Sequence, residues 1–161
     1  MSNELESIKE YITDLNFTNR PIHITYKYRV IFQVSRLVLI LGMASSKSGS
    51  SILKIQIVSD ALENETLLDY LNWLINNNGQ KFVKNWRYNP MLSRVISYSN
   101  AERLTEYSKT GKLVLTEKGV TLFDELSMDE SLLAYEKSQL SKIKKRLSEA
   151  KLLSILEKGS I

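Results

Sequence analysis

The 161-residue chain has no cysteine, one histidine at position 23, two prolines and six glycines. Without cysteine, disulfides and thiolate metal sites are excluded, and a reducing compartment suits the chain. With His23 as the sole imidazole, neither a Ser-His-Asp nor a Cys-His nor a two-histidine metal arrangement can be assembled within one chain. Long apolar runs are missing too. The longest uncharged apolar-rich run, Leu37 to Ser46, is about half of what a bilayer crossing needs. Glu4, Glu6 and Glu10 stand where a signal peptide would be apolar, so a soluble, cytoplasmic protein is expected.

What is present suffices for one core. Hydrophobic residues make up 43% of the chain, enough for one domain with helical additions and too little length for two large ones. The net charge of +4 is modest but unevenly spread. Between Gly79 and Lys112 seven Lys or Arg face two Glu, and between Lys137 and Lys151 six face one, so the remainder is acidic. Such concentration is what a polyanionic partner requires, although an exposed Lys-rich helix face explains the second segment equally well.

Periodicity organises the chain into helices. Leu5, Ile8, Ile12 and Leu15 recur at three- and four-residue steps, giving a short amphipathic helix that Arg20-Pro21 ends. The dense apolar stretch from Tyr26 to Ala44 predicts a buried helix, followed by the polar loop 45–51. Leu53, Ile57 and Ala61 mark a further helix, and Asn64 is an N-cap for one carrying Leu67, Leu71 and Leu74. Asn89-Pro90 supplies an N-cap and a first-turn proline for a helix running toward Asn100. Ser127-Met128-Asp129-Glu130 fits a capping box, and nothing from there to about Lys158 is proline or glycine until Gly159, so one long helix is expected. On it Leu133, Leu140 and Leu147 repeat every seven residues with Ile143 between them, a coiled-coil-like seam for a protein partner.

The segment Leu104 to Leu126 is the most specific. Leu113 and Leu115 alternate with Lys112 and Val114 as in a half-buried strand, and the turn Lys109-Thr110-Gly111-Lys112 contains a glycine that can take positive φ. Thr116 suits the N-cap of the next helix, on which Val120 and Phe123 are expected to face inward. Gly119 in its first turn costs about 1 kcal/mol relative to alanine, which implies a close approach of helix and hairpin. Together these make a basic wing.

Catalytic motifs are absent or incomplete. Gly42-Met43-Ala44-Ser45-Ser46-Lys47-Ser48 falls one residue short of a Walker phosphate loop and lacks the glycine before lysine. The acidic pairs Asp124 with Glu125 and Asp129 with Glu130 are accounted for by helix dipoles and solvation. No enzyme, cofactor or metal is expected.

Cations alternate with aromatics from Lys81 through Phe82, Lys84, Trp86, Arg87 and Tyr88, a pattern that serves phosphates and bases or, equally, anchors a loop in the core. The Pro90 helix stands where a recognition helix would precede the wing, with Arg94 and Ser93 facing a groove. Lys81, Lys84, Arg87, Arg94, Lys109 and Lys112 are thus the nucleic-acid-binding candidates. One arginine among serines reads few bases, so backbone contact to double-stranded DNA is better supported than sequence readout.

The helix order, the Asn89-Pro90 helix, the basic hairpin and Leu115-Thr116-Glu117-Lys118-Gly119 resemble the winged-helix superfamily over about Val30 to Leu126. The expected fold class is mostly α (α+β): an extension over 1–21, a winged-helix domain over 22–126 and a long helix over 127–161 for interaction or dimerisation. Arg36 to Leu41, Leu53 to Ile57, Trp73, Arg87-Tyr88-Asn89-Pro90 and the wing are further similar to the small middle components of bacterial three-component, Lamassu-type ATPase defence systems. That resemblance implies a non-catalytic accessory subunit on an SMC-like ATPase, regulating an effector subunit. The alternative is a homodimeric winged-helix transcription regulator that self-associates through the seam.

Overall fold

The computed structural model describes residues 25–77, 89–143 and 146–158. The predicted helix over 5–15 and the aromatic-basic stretch over 80–88 lie outside the described residues. A 3₁₀ turn, Tyr26–Tyr28, leads into helix α1, Val30–Ala44, whose residues from Gln33 to Leu41 are all buried. A helix apolar on every side belongs at the centre of a fold, and α1 packs against four other helices and the hairpin. Around it lie α2, Ile52–Glu63, α3, Glu65–Asn76, and α4, Pro90–Ala101, followed by strands β1, Thr105–Tyr107, and β2, Leu113–Leu115. Helices α5, Glu117–Met128, α6, Ala134–Ile143, and α7, Glu149–Lys158, complete the described chain. The result is a mostly helical protein with a small two-stranded antiparallel sheet. Among the described residues no helix is long and apolar enough to cross a membrane.

Local signals place the helix ends where the sequence puts them. Ser51 and Asn64 accept hydrogen bonds from the Lys54 and Leu67 amides, capping α2 and α3. Asn89 accepts from Met91 N with Pro90 in the first turn of α4, and Thr116 accepts from Gly119 N at 3.1 Å to start α5. The strands pair as Thr105 with Leu115, Glu106 with Val114 and Tyr107 with Leu113. Gly111 closes their turn at φ 72°, a conformation costly for other residues.

The C-terminal third departs from the sequence expectation. No single long helix runs from Ser127. Ser127 instead lies in the last turn of α5, its hydroxyl donating to Phe123 O at 2.7 Å. Asp129 then folds the chain into a turn by accepting from the Ser131 amide and hydroxyl and the Leu132 amide, and Leu133 adopts φ 54° before α6 begins. The break lets α6 return along α1. Leu140, Ile143 and Leu147 are all 0% exposed, and Leu152 and Ile155 of α7 join them in the same core. Leu133 packs partly buried against it. Of the four residues read as an outward seam, Leu140, Ile143 and Leu147 are therefore the chain's own interior and Leu133 lies at its edge, because folding α6 back buries more apolar surface than a free helix could.

Two glycines mark where α5 is held. A Cβ on Gly119 would fall on the carbonyl of Leu104, which is the close approach to the hairpin that its position implied. A Cβ on Gly42 would fall within the Phe123 ring. Gly42 therefore belongs to α1 as a helix-packing residue, and the phosphate-loop likeness dissolves, since the helix continues through Ala44. Phe123 does face inward, but Val120 remains 45% exposed at the rim of a cavity of about 410 Å³ shared with Val114 and Lys47. This corrects the inward placement expected of Val120: with Gly119 pressed on the hairpin, the next residue is turned outward.

Candidate nucleic-acid interface

Helix α4 is amphipathic, burying Leu92, Val95, Ile96 and Ser99 and leaving Arg94, Ser97, Tyr98 and Ala101 in solvent. Arg94 and Tyr98 lie four residues apart, hence on one helical face. The chain leaves α4 through Arg103 at φ 56°, a left-handed residue that closes a helix and turns the backbone sharply. Leu104 N donates back to Ser99 O at 2.9 Å, and Thr105 opens the first strand.

The junction between α4, the hairpin and α5 is densely tied. The Thr105 hydroxyl donates to Asn100 Oδ1 at 2.6 Å, the Thr116 hydroxyl to Arg103 O at 2.5 Å, and Lys118 Nζ to Glu102 O at 2.9 Å. Thr116 N donates to Leu104 O at 3.1 Å. These bonds set the angle between helix and hairpin. A further tie comes from the loop after α1, where Ser50 exchanges backbone hydrogen bonds with Leu113 at 3.0 and 2.9 Å. Ser50 thus makes an isolated antiparallel bridge to β2.

The six candidate cations divide into three groups. Arg94 is exposed on α4, and Lys109 is exposed in the hairpin turn. Lys112 is half-buried and close enough to Lys54 for its charge to matter there: burial pushes the Lys54 ammonium below its ordinary value, Glu149 opposes the shift, and Lys112 adds to it. Lys81, Lys84 and Arg87 lie outside the described residues. The structure adds one cation that composition alone did not single out, Arg103, exposed at the bend between α4 and β1. Only its left-handed backbone distinguishes it, and nothing local in the sequence announces that.

Tyr98 and Tyr107, 50% and 54% exposed, stand on α4 and β1, two elements that pack together. Cations with exposed aromatic rings can meet phosphates and sugars, while a helix face with one arginine offers little to distinguish base pairs. Among the described residues no group of three or more His, Asp or Glu could hold a metal ion. No protein-family model, curated protein or solved structure matches this chain.

Proposed function

We propose that the chain is a non-catalytic winged-helix accessory subunit of a cytoplasmic bacterial anti-phage defence complex, docking on an SMC-like ATPase beside an effector subunit and touching DNA backbone. The observation that carries the winged-helix reading is the pairing of Ser50 with Leu113. This isolated bridge joins the loop between the first two helices to a hairpin that follows a partly solvent-facing helix, which supports the reading of a winged helix carrying one extra helix. Arg94, Arg103 and Lys109 then supply phosphate contacts, with Lys81, Lys84 and Arg87 as further candidates from the segment before α4.

The alternative, a homodimeric regulator, depends on a free apolar seam. The subunit reading from sequence uses the same seam for its partner, but with Leu140, Ile143 and Leu147 spent inside the chain neither a partner nor a second copy docks through them. Co-expression with the neighbouring genes followed by affinity capture tests it. A large ATPase with long coiled coils is expected to co-purify, and a chain that captures no ATPase would sink the proposal.

A further inference from the structure

The hairpin has little of its own to stand on, since two strands of three residues each are marginal in water without something packed against them. The loop over 45–51 supplies part of that support. Gly49, at φ 87°, lies so close to β2 that a Cβ there would fall on Leu113 O and Val114 Cγ1, and Ser50 exchanges its backbone bonds with Leu113. The same loop and Val114 also line the cavity of about 410 Å³, with Val120 and Phe123 across from them. A strand pinned at one contact beside unfilled space can shift when the pin lets go.

That pin is held from the far end of the chain. Ser50 is fully buried, and its hydroxyl donates to the Glu149 carboxylate together with the Ser51 amide and hydroxyl, at 2.8 to 3.3 Å. The start of the loop is fastened as well, because buried Lys54 donates from Nζ to Ala44 O at 2.7 Å. Glu149 opens α7, and α7 is lightly attached. Helix α6 lies closely along α1, whereas α7 follows no other element of the described chain in that way. Leu152 and Ile155 anchor it in the core while Leu153 on its other face is 55% exposed.

We propose that α7 is a strap that controls the hairpin: seated through Glu149 it holds the 45–51 loop on β2, and drawn away it releases Ser50 and lets the hairpin move. Such coupling is reciprocal. A ligand that fixes the hairpin in its held position also tightens α7, and one that captures α7 loosens the hairpin. The coupling holds whatever the hairpin contacts.

The chain has no cysteine, so Thr110→Cys in the hairpin turn or Leu153→Cys on α7 can each be paired with Thr66→Cys on α3 to carry two spin labels. Double electron–electron resonance on the full chain then reads the spread of distances within the folded state, which a loss of global stability does not mimic. With Glu149→Ala added, the spread from Thr66 to Thr110 and from Thr66 to Leu153 should each become about twice that of the parent pair. A role confined to capping α2 would leave the hairpin spread unchanged and overturn the proposal. Gly49→Ala drives the coupling in reverse, since its methyl pushes the loop off β2, and it should broaden the α7 spread. An unchanged α7 spread in that variant would overturn the proposal too. Should Glu149→Ala not fold, Glu149→Gln, which keeps one acceptor for Ser51, is read by the same criteria.

Discussion

Glu149, the first residue of α7, accepts from the Ser51 amide at 2.9 Å and the Ser51 hydroxyl at 2.8 Å, so the last helix caps the start of α2 across 98 residues. Ser50 beside it donates to the same carboxylate at 3.3 Å while its backbone pairs with β2. One side chain therefore ties the C-terminal helix to the loop that supports the hairpin. Burial raises the Glu149 carboxyl, but the Ser51 hydrogen bonds, the Lys54 charge and the Ser50 hydroxyl outweigh it, leaving the group below its ordinary value.

The sign of the resulting pH dependence follows. A carboxyl depressed in the folded state stabilises fully above its unfolded value of 4.5, and the contribution is lost as pH falls through the folded value beneath that. Glu149→Gln should cost about 1–2 kcal/mol at pH 7, after allowance for solvent screening. The difference from wild type should shrink as pH falls below 4.5. Urea unfolding at pH 7 and at pH 3 to 4 measures both.

Gly119→Ala should be destabilising even though alanine favours helices. The gain in propensity is about 1 kcal/mol, whereas the new methyl meets a backbone carbonyl that cannot move without parting α5 from the hairpin, an overpacking cost of about 2–3 kcal/mol. A net loss in melting temperature by calorimetry is the expected outcome.

Ile143→Ala distinguishes an interior from an interface. Truncating a fully buried isoleucine should cost about 3 kcal/mol, and the oligomeric state on light scattering should not change. A partner-facing seam would give the opposite result, altered association with little loss of stability.

Ser99 presents a fully buried hydroxyl with no hydrogen-bond partner among the described residues, on the inner face of α4. Ser99→Ala removes that desolvated oxygen and should raise stability by about 1 kcal/mol, read from the denaturation midpoint.

If the hairpin face grips double-stranded DNA through about four phosphates, the slope of log affinity against log salt should be about −3.6. Reversing Arg94, Lys109 and Lys112 to glutamate should flatten that slope and abolish binding in fluorescence anisotropy. Unchanged affinity would assign the cations to a solvated face.

Much of the architecture was legible because its signals are short-range. Asn64, Asn89 with Pro90, and Thr116 each bond an amide two or three residues ahead, so a cap is written within one turn of sequence. The hairpin was legible for the same reason, its turn and second strand being marked by Gly111 and the alternation after it, while the register came from the structure. The candidate site was half legible. Arg94 and Lys109 stand in solvent as read, whereas Arg103 entered the face only through a left-handed bend.

The amino-acid sequence alone determined the presence of helices α1 to α5, the caps that start α3, α4 and α5, and the basic hairpin, since each rests on bonds and periodicities confined to a few residues. The tertiary structure alone decided the rest. A chain with neither proline nor glycine between Ser127 and Lys158 bends at Asp129 to Leu133 because burying Leu140, Ile143, Leu147, Leu152 and Ile155 against α1 outweighs the helical hydrogen bonds given up. The same fold-back carries Glu149 to Ser51, a relation between distant residues that no local pattern encodes.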